Sequence, residues 1–347
     1  MLFLSKKHAH AEHCVQSVLI LYKNAIFLYN THEYNLQSGK KTIMLRTKLS
    51  LTITSASAGI PIRNFLRDFG FSSHLLIQLK HREHSVFLNG EPAFLNIPLK
   101  EGDFLEVLLP EEESPEKLIS TDIPFGILYE DEDILVINKP ANMPIHPSRG
   151  NFENTLANAV AHYYEKLGEP FSYRCINRLD RDTTGALILA RHALSACVLS
   201  ADMRERRIHR TYLSLVEGIT DAEGTVDLPI GRKDASIIER CIDKENGEWA
   251  VTHYRTLKHF QIETENGAKD CSLIELHLET GRTHQIRVHM TAIGHPLLGD
   301  TLYNADGILL PGRQALHSSS LEFVHPITKE AMHISAPLPD DFMVVCK

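Results

Sequence analysis

The sequence predicts an α+β protein whose larger part carries a mainly antiparallel sheet. Apolar runs typical of buried strands, such as 134–137, 186–190 and 273–278, alternate with helical segments and loops of unequal length. That irregular spacing favours an antiparallel or mixed sheet over a doubly wound parallel one. An acidic segment containing prolines, 110–117, separates these runs from a smaller front segment and is typical of a solvated linker.

Composition limits the classes of protein that this chain can represent. Its 347 residues are enough for two or three domains, and its 43% hydrophobic content is enough for an ordinary core. The 36 Lys and Arg against 44 Asp and Glu give a net charge of −8, which argues against a protein that coats nucleic acid or anionic membranes indiscriminately. Six scattered cysteines without a Cys-x-x-Cys pair indicate free thiols in a reducing compartment.

The front segment, 44–109, predicts a compact module of two helices followed by strands. Pro61 begins a helical run that Gly70 ends, and a second short helix follows. Asn89-Gly90 is typical of a hairpin turn between strands. The expected division of the chain is an extension of unknown role at 1–43, the module at 44–109, a linker at 110–117 and a long domain at 118–347.

A polar loop, 174–185, leads directly into one of the buried strand runs and is the first candidate site. Its Asp180 lies between Arg178 and Arg181. Cations at that range favour an ionised carboxylate, as a nucleophile or a base requires. A surface loop whose arginines and aspartates pair with one another remains an alternative.

The second candidate site is a short helix predicted near residues 283–293. Thr283 can cap it, and Gly294 ends it. Its unburied side offers Arg287, and His284 and Gln285 lie at its start, where backbone N–H groups and cations suit a phosphate.

A metal site on this helix is not expected. His284, His289 and His295 are spaced by five and six residues, which places them on different sides of a helix. No carboxylate at helical spacing completes a ligand set.

The motifs resemble those of one family, the RluA-type RNA pseudouridine synthases. The family pattern His-Arg-Leu-Asp-x-x-Thr-Ser/Thr-Gly, followed by an apolar strand, matches residues 178–185. Further family signatures occur in the expected order at 129–140, 210–218 and 280–300, and the resemblance covers the chain from about residue 118 to its end.

The resemblance implies a pseudouridine synthase fold and isomerisation of uridine in RNA without a cofactor or metal. It assigns the catalytic role to Asp180, as a nucleophile or as a base. Arg287 corresponds to an arginine that pairs with this carboxylate, and Tyr212 to a tyrosine that packs on the uracil. Arg178 resembles the arginine that takes the place of the flipped nucleotide.

The remaining expected RNA-binding or base-flipping residues are Asn177, Arg181, Arg282, His284 and Gln285. Asn177 stands where the family usually has histidine, a residue that contributes to loop structure or to RNA contact. Local charge supports an RNA partner, since the segment 174–210 contains eight arginines and only four acidic residues.

The front module resembles, more weakly, the small RNA-binding domain named after ribosomal protein S-four, although Ser73-His74 stands where that family usually has Ser-Arg. We expect a monomeric, cytoplasmic enzyme that acts on large-subunit ribosomal RNA and has no membrane partner. The alternatives are a tRNA substrate, or a non-catalytic RNA-binding factor for ribosome assembly. A glycosidase would need paired carboxylates across a pocket, and Asp182 is poorly spaced from Asp180 for that.

Overall fold

The structure is a computed structural model that describes residues 44–111, 118–234, 236, 238–265, 267–308 and 311–345. The expected extension, 1–43, and most of the expected linker, 110–117, lie outside the described residues. In the described ranges the helices are α1 Ile62–Phe69, α2 Ser73–His81, α3 Leu156–Leu167, α4 Ala193–Arg204, α5 Gln285–Ala292 and α6 Asp340–Val345. The strands are β1 Lys48–Thr52, β2 Val86–Leu88, β3 Glu91–Pro92, β4 Phe104–Leu108, β5 Gly126–Glu130, β6 Ile134–Lys139, β7 Thr184–Ala190, β8 His209–Glu217, β9 Glu223–Asp227, β10 Ile230–Arg232, β11 Arg240–Ile242, β12 Val251–Thr264, β13 Gly267–Leu278, β14 Leu316–Val324 and β15 Ala331–Ser335.

The described residues form two compact units. Residues 44–210 and 318–336 belong to the first, called here the N-terminal unit. Residues 211–317 and 337–345 belong to the second, the C-terminal unit.

The N-terminal unit begins with a small module that contains helices α1 and α2 and strands β1 to β4. Its strands have the order β1-β4-β2-β3, and every pairing among them is antiparallel. Helix α1 begins after Pro61 and ends at Gly70, as predicted, and the Ser72 side chain caps α2 by accepting a hydrogen bond from the Leu75 amide. Leu66 of α1 and the inner face of α2 are buried over this sheet in one apolar core.

The rest of the N-terminal unit is built on a sheet with the strand order β5-β6-β7-β14, in which β15 also pairs with β14. Strands β6 and β7 are antiparallel, and Lys139 at the end of β6 lies opposite Gly185 at the start of β7. Every residue of β7 is buried, which explains its continuous apolar sequence. The loop that carries Asp180 therefore enters the sheet at a fixed point beside the end of β6.

The C-terminal unit is built on the strand order β8-β13-β12-β9, again with antiparallel pairing throughout. Its apolar core includes Leu213, Leu273 and Phe342. Helix α5 packs beside this sheet, next to the hairpin of β10 and β11.

Both units have helices and mostly antiparallel strands, so the expected α+β class is confirmed. No helix within the described ranges has the length and apolar character needed to cross a membrane.

Inside the N-terminal unit, the front module packs tightly on helix α4. Leu194 and Val198 of α4 belong to the same apolar core as the inner residues of α1 and α2. Gly70, at a φ of 123°, lies so close that a Cβ atom there would be 2.5 Å from Val198 Cγ2. Arg46 adds a paired hydrogen bond to Asp133, with Nε–Oδ1 and Nη2–Oδ2 distances of 2.6 and 2.9 Å.

We expect Gly70→Ala to lower the free energy of unfolding, measured in urea with the full chain, by more than Gly59→Ala does. Both glycines have positive φ, so both variants carry about 1 kcal/mol of backbone strain. Only Gly70→Ala also presses on Val198, whose branched side chain is stiff in a helix, which adds about 1–3 kcal/mol. Equal losses for the two variants would contradict the close packing.

Candidate active site

The side chain of Lys139 holds the loop that carries Asp180 through hydrogen bonds to backbone carbonyls. This side chain is fully buried, and its Nζ donates to the carbonyl oxygens of Pro140, Met143 and Arg181 at 2.8, 2.9 and 2.8 Å. An ammonium group has three N–H donors and no acceptor, so three carbonyls match it well. Lys139 thereby ties the turn after β6 to the backbone beside Asp180.

Asn177 fixes the other end of the loop. Its side chain is 2% exposed; Oδ1 accepts from the Ile188 amide at 2.8 Å, and Nδ2 donates to the Ala186 carbonyl at 3.4 Å. The neighbouring backbone also pairs with β7, through Ile176 N and Ile188 O at 2.9 Å. Of the two roles that the resemblance implies for this position, these contacts support loop structure.

Gly185 makes the entry into β7 possible. Its φ is 107°, and a Cβ atom there would overlap the backbone carbonyl of Ser318 in the neighbouring strand. Glycine is the residue that tolerates both this conformation and so close a backbone.

Between these anchors, Asp180 is half-buried, and Arg178 and Arg181 are exposed. A turn in which the Thr183 amide donates to the Asp180 carbonyl at 3.2 Å shapes the loop. Arg181 pairs with Asp182, at 3.2 Å between Nε and Oδ2. Burial, and then the charge of Arg178, lower the pKa of the nearby His146.

In the C-terminal unit, Arg287 is buried and forms a two-point ion pair with Asp300. The distances are 2.7 Å from Nε to Oδ2 and 2.8 Å from Nη2 to Oδ1, and the guanidinium lies 5.0 Å from the centre of the Tyr303 ring. The prediction that Arg287 lies on an unburied side of its helix is wrong, because it packs inward against this partner. Its expected pairing with Asp180 stays a prediction.

The start of α5 also differs from the expectation. The N-cap is His284, in the left-handed conformation at φ 57°, and not Thr283. His284 Nδ1 lies 2.9 Å from the Tyr303 hydroxyl. Gln285 is buried and donates to the Val251 carbonyl at 2.9 Å, so its contacts hold α5 on β12.

The other two expected site residues of the C-terminal unit, Arg282 and Tyr212, differ in how far they are buried. Arg282 is half-buried, pairs with Glu248 and donates to the Trp249 carbonyl at 3.1 Å. Tyr212 is buried on β8, opposite Leu276 of β13.

A group of three side chains, Asp131, Asp133 and His325, has the spacing of a metal site. Its oxygens are already used: Asp131 is bonded by His325 at 2.9 Å, and Asp133 by His192 at 2.8 Å as well as by Arg46. Burial raises the pKa of Asp131, but the hydrogen bonds that it accepts outweigh burial and lower it to about 2. This chemistry fits an internal ion-pair network.

Comparison with known proteins places these features in a family. Residues 133–292 match the family model described as RNA pseudouridylate synthase. An uncharacterised RNA pseudouridine synthase of Bacillus subtilis, YjbO, is 42% identical over 287 residues, which are 82% of this chain and 98% of that protein. The ribosomal large subunit pseudouridine synthase D of Vibrio parahaemolyticus is 40% identical, over 69% of this chain and 74% of that protein.

The chain belongs to the RluA-type RNA pseudouridine synthases. The solved structure of human RNA pseudouridylate synthase domain containing 1 agrees, with 29% identity and a TM-score of 0.53 over 63% of this chain and 85% of that chain. The family makes this protein an isomerase that acts on RNA, and the fold expected from the sequence motifs is confirmed.

Sequence reasoning missed Lys139, Asp300 and Tyr303 as residues that shape the site. The first two lie inside quoted family motifs, so the signal was present, but their partners are distant in the sequence. Lys139 contacts a backbone carbonyl 42 positions away. The periodicity of apolar residues reports only on neighbours within one helix or strand, so it cannot reveal a contact of this kind.

We expect Lys139→Met to lower the free energy of unfolding by about 3 kcal/mol or more, because three buried carbonyls lose their donor. The matched control is Lys166→Met, whose exposed ammonium pairs with Asp122 at 3.2 Å and contributes less than about 1 kcal/mol. Urea denaturation of the full chain measures both. A Lys139 variant as stable as the control would show that the ammonium does not hold the loop.

Asn177→Ala should destabilise the protein by about 1–3 kcal/mol, because it leaves the buried Ile188 amide without its acceptor. Asn177→His should fall between this variant and the wild type, since an imidazole nitrogen can accept the same bond. The exposed Asn64→Ala serves as a control and should shift the free energy of unfolding by less than about 0.5 kcal/mol. If histidine is no better than alanine, the bond to Ile188 is not what position 177 supplies.

Proposed function

We propose that this enzyme converts uridines of large-subunit ribosomal RNA to pseudouridine, with Asp180 as its catalytic residue. The observation that carries the proposal is a half-buried carboxylate on a loop fixed by Lys139, Asn177 and Gly185. Rigid support of this kind suits a group whose geometry decides the rate. The choice of RNA rests on relatives named ribosomal large subunit pseudouridine synthase D at 37–40% identity.

The reaction breaks the bond from the ribose C1′ to N1 of uracil and forms a bond from C1′ to C5. The base turns while it stays bound, C5 loses its proton, and N1 gains one, so no external group or electron is required. Asp180 takes part as a nucleophile or as the base that removes a ribose proton. Tyr212 is proposed to pack on the uracil, and Arg287 to keep the catalytic carboxylate ionised.

A target uridine in folded RNA must leave its stack to reach this carboxylate. Arg178 is exposed on the same loop two residues before Asp180, so we assign it to the space that the flipped nucleotide vacates. Arg181, Arg282 and His284 are proposed contacts to the surrounding RNA. We further propose that the enzyme acts as a monomer in the cytoplasm.

A tRNA substrate is the second candidate, since the loop chemistry is the same for either RNA. The two are separated by mapping pseudouridine in both RNA pools from cells that lack the gene. Sites that disappear from large-subunit ribosomal RNA, and return when the gene is restored, support the proposal; sites that disappear from tRNA alone overturn it.

Asp180→Ala and Asp180→Asn should each lower the rate of pseudouridine formation by at least about 1,000-fold, because the reacting group is removed. RNA binding by these variants should stay within a few-fold of the wild type. Asp182→Asn is the matched control on the same loop, since an amide oxygen can still accept from the Asn142 amide, 3.1 Å away. Single-turnover assays on large-subunit ribosomal RNA, with filter binding alongside, measure both quantities.

If the Asp180 variants restore pseudouridine in cells that lack the gene, Asp180 is not catalytic. If neither they nor the wild type restore any site, the enzyme proposal itself is wrong, and a non-catalytic RNA-binding role is favoured.

A further inference from the structure

A cleft of about 650 Å³ lies inside the N-terminal unit, between the front module and helix α4. One wall is the end of α1 and the first turns of α2, and the other is the exposed side of α4. Arg174, six residues before Asp180, also lines it. The cleft is therefore shared between the module and the part of the chain that carries the catalytic loop.

The lining is strongly positive in a chain whose net charge is −8. Three arginines contribute: Arg67 at the end of α1, Arg174, and Arg204 at the end of α4. Among the lining residues that the structure describes, Glu111 is the acidic one, and Arg82 pairs with it at 3.1 Å. The first turn of α2 faces the cleft as well, and the positive end of a helix dipole favours an anion.

Two of these arginines are available to a ligand. Within the described part of the chain, Arg67 and Arg204 have exposed side chains that make no ion pair. Arg207, three residues beyond Arg204, contrasts with them because it is paired with Asp202 at 2.9 Å from Nε to Oδ1. Charges left unpaired on opposite walls of one cleft are what a bound polyanion would neutralise.

The walls of the cleft are held at a fixed spacing. The front module and α4 share an apolar core that includes Leu66, Phe71 and Val198. Lys329 Nζ lies 4.5 Å from the centre of the Phe69 ring, and Gly70 leaves no room for a side chain between the walls. A ligand that needs cations on both walls therefore meets them already in place, which lowers the entropy loss of binding.

The lining fits a nucleic-acid backbone better than a single small anion. Ser72, Gln78 and Ser200 provide hydrogen-bonding groups between apolar stretches, a mixture that suits ribose and phosphate together. The volume lies in the range of clefts that hold molecules far larger than one phosphate.

We propose that this cleft binds the phosphate backbone of RNA through Arg67, Arg174 and Arg204, at a site separate from the flipped uridine. The proposal rests on the proposed function only in taking RNA as the substrate. It makes the module and α4 one RNA-binding surface, although the S-four resemblance of the module is weak.

The test is the affinity of the full chain for a fluorescein-labelled RNA stem–loop and for transcribed large-subunit ribosomal RNA, measured by fluorescence anisotropy across a salt series. Loss of one phosphate contact at about 0.1 M salt lowers affinity roughly five- to eightfold, so the double variant Arg67→Ala with Arg204→Ala should bind roughly 25- to 60-fold more weakly. Its slope of log affinity against log salt should be shallower by about 1.4–1.8.

Two controls separate the cleft from general charge and from misfolding. Arg63→Ala removes the same charge from the same helix α1, outside the cleft lining, and should bind within about twofold of the wild type. Ser200→Glu puts a negative charge into the cleft from α4 and should weaken binding at least about fivefold, whereas Ser200→Ala should not. Circular dichroism and urea denaturation check that each variant is folded.

Wild-type affinity and salt slope in the double variant, or an unchanged affinity in Ser200→Glu, would overturn the proposal. Displacement of the RNA by inorganic phosphate at low millimolar concentration would also overturn it, because the cleft would then be a small-anion site. Failure of the proposed function looks different: the wild type forms no pseudouridine in any RNA, while the cleft variants still weaken binding.

Discussion

A single buried ammonium group joins the elements that position the loop carrying Asp180. Lys139 ends β6, and its three carbonyl acceptors belong to the turn that follows and to Arg181 on the loop. A cation in this position would be costly without such partners, because a buried charge needs full hydrogen bonding. The turn and the loop therefore have one arrangement in which Lys139 is satisfied, and that arrangement fixes the backbone beside Asp180.

In the C-terminal unit, a buried charge likewise holds an expected site residue, Arg287, in place. Arg287 and Asp300 are both buried and meet at two points, and the turn at Asp300 is closed by its bonds to the Leu302 and Tyr303 amides at 3.1 and 3.2 Å. Tyr303 lies under the guanidinium and also contacts His284. Each unit thus carries candidate site residues on a loop or a helix that a buried charge holds in place.

The sequence supports prediction of the parts of this protein that are local. Strands β6 and β7 follow from their apolar runs, and α1 from Pro61 and Gly70, because period and end signals lie within a few residues. The N-cap of α5 was missed because His284, a residue with weak capping preference, is held by Tyr303 from 19 residues away. The inward position of Arg287 was missed for the same reason, since its partner Asp300 lies outside the helix that the pattern describes.

The net charge of −8 does not describe every part of the surface, because the charged residues are unevenly distributed. Some carboxylates, including Asp133 and Asp300, are buried and paired with arginines, so each pair removes one charge of either sign from the surface. Arg67, Arg178 and Arg204 are exposed in the unit that carries Asp180. Screening limits exposed charges to about 10 Å at 0.1 M salt, so an approaching polyanion responds to the nearest charges and not to the sum over the chain. A chain with a net negative charge can therefore expose arginines to a polyanion in one region of its surface.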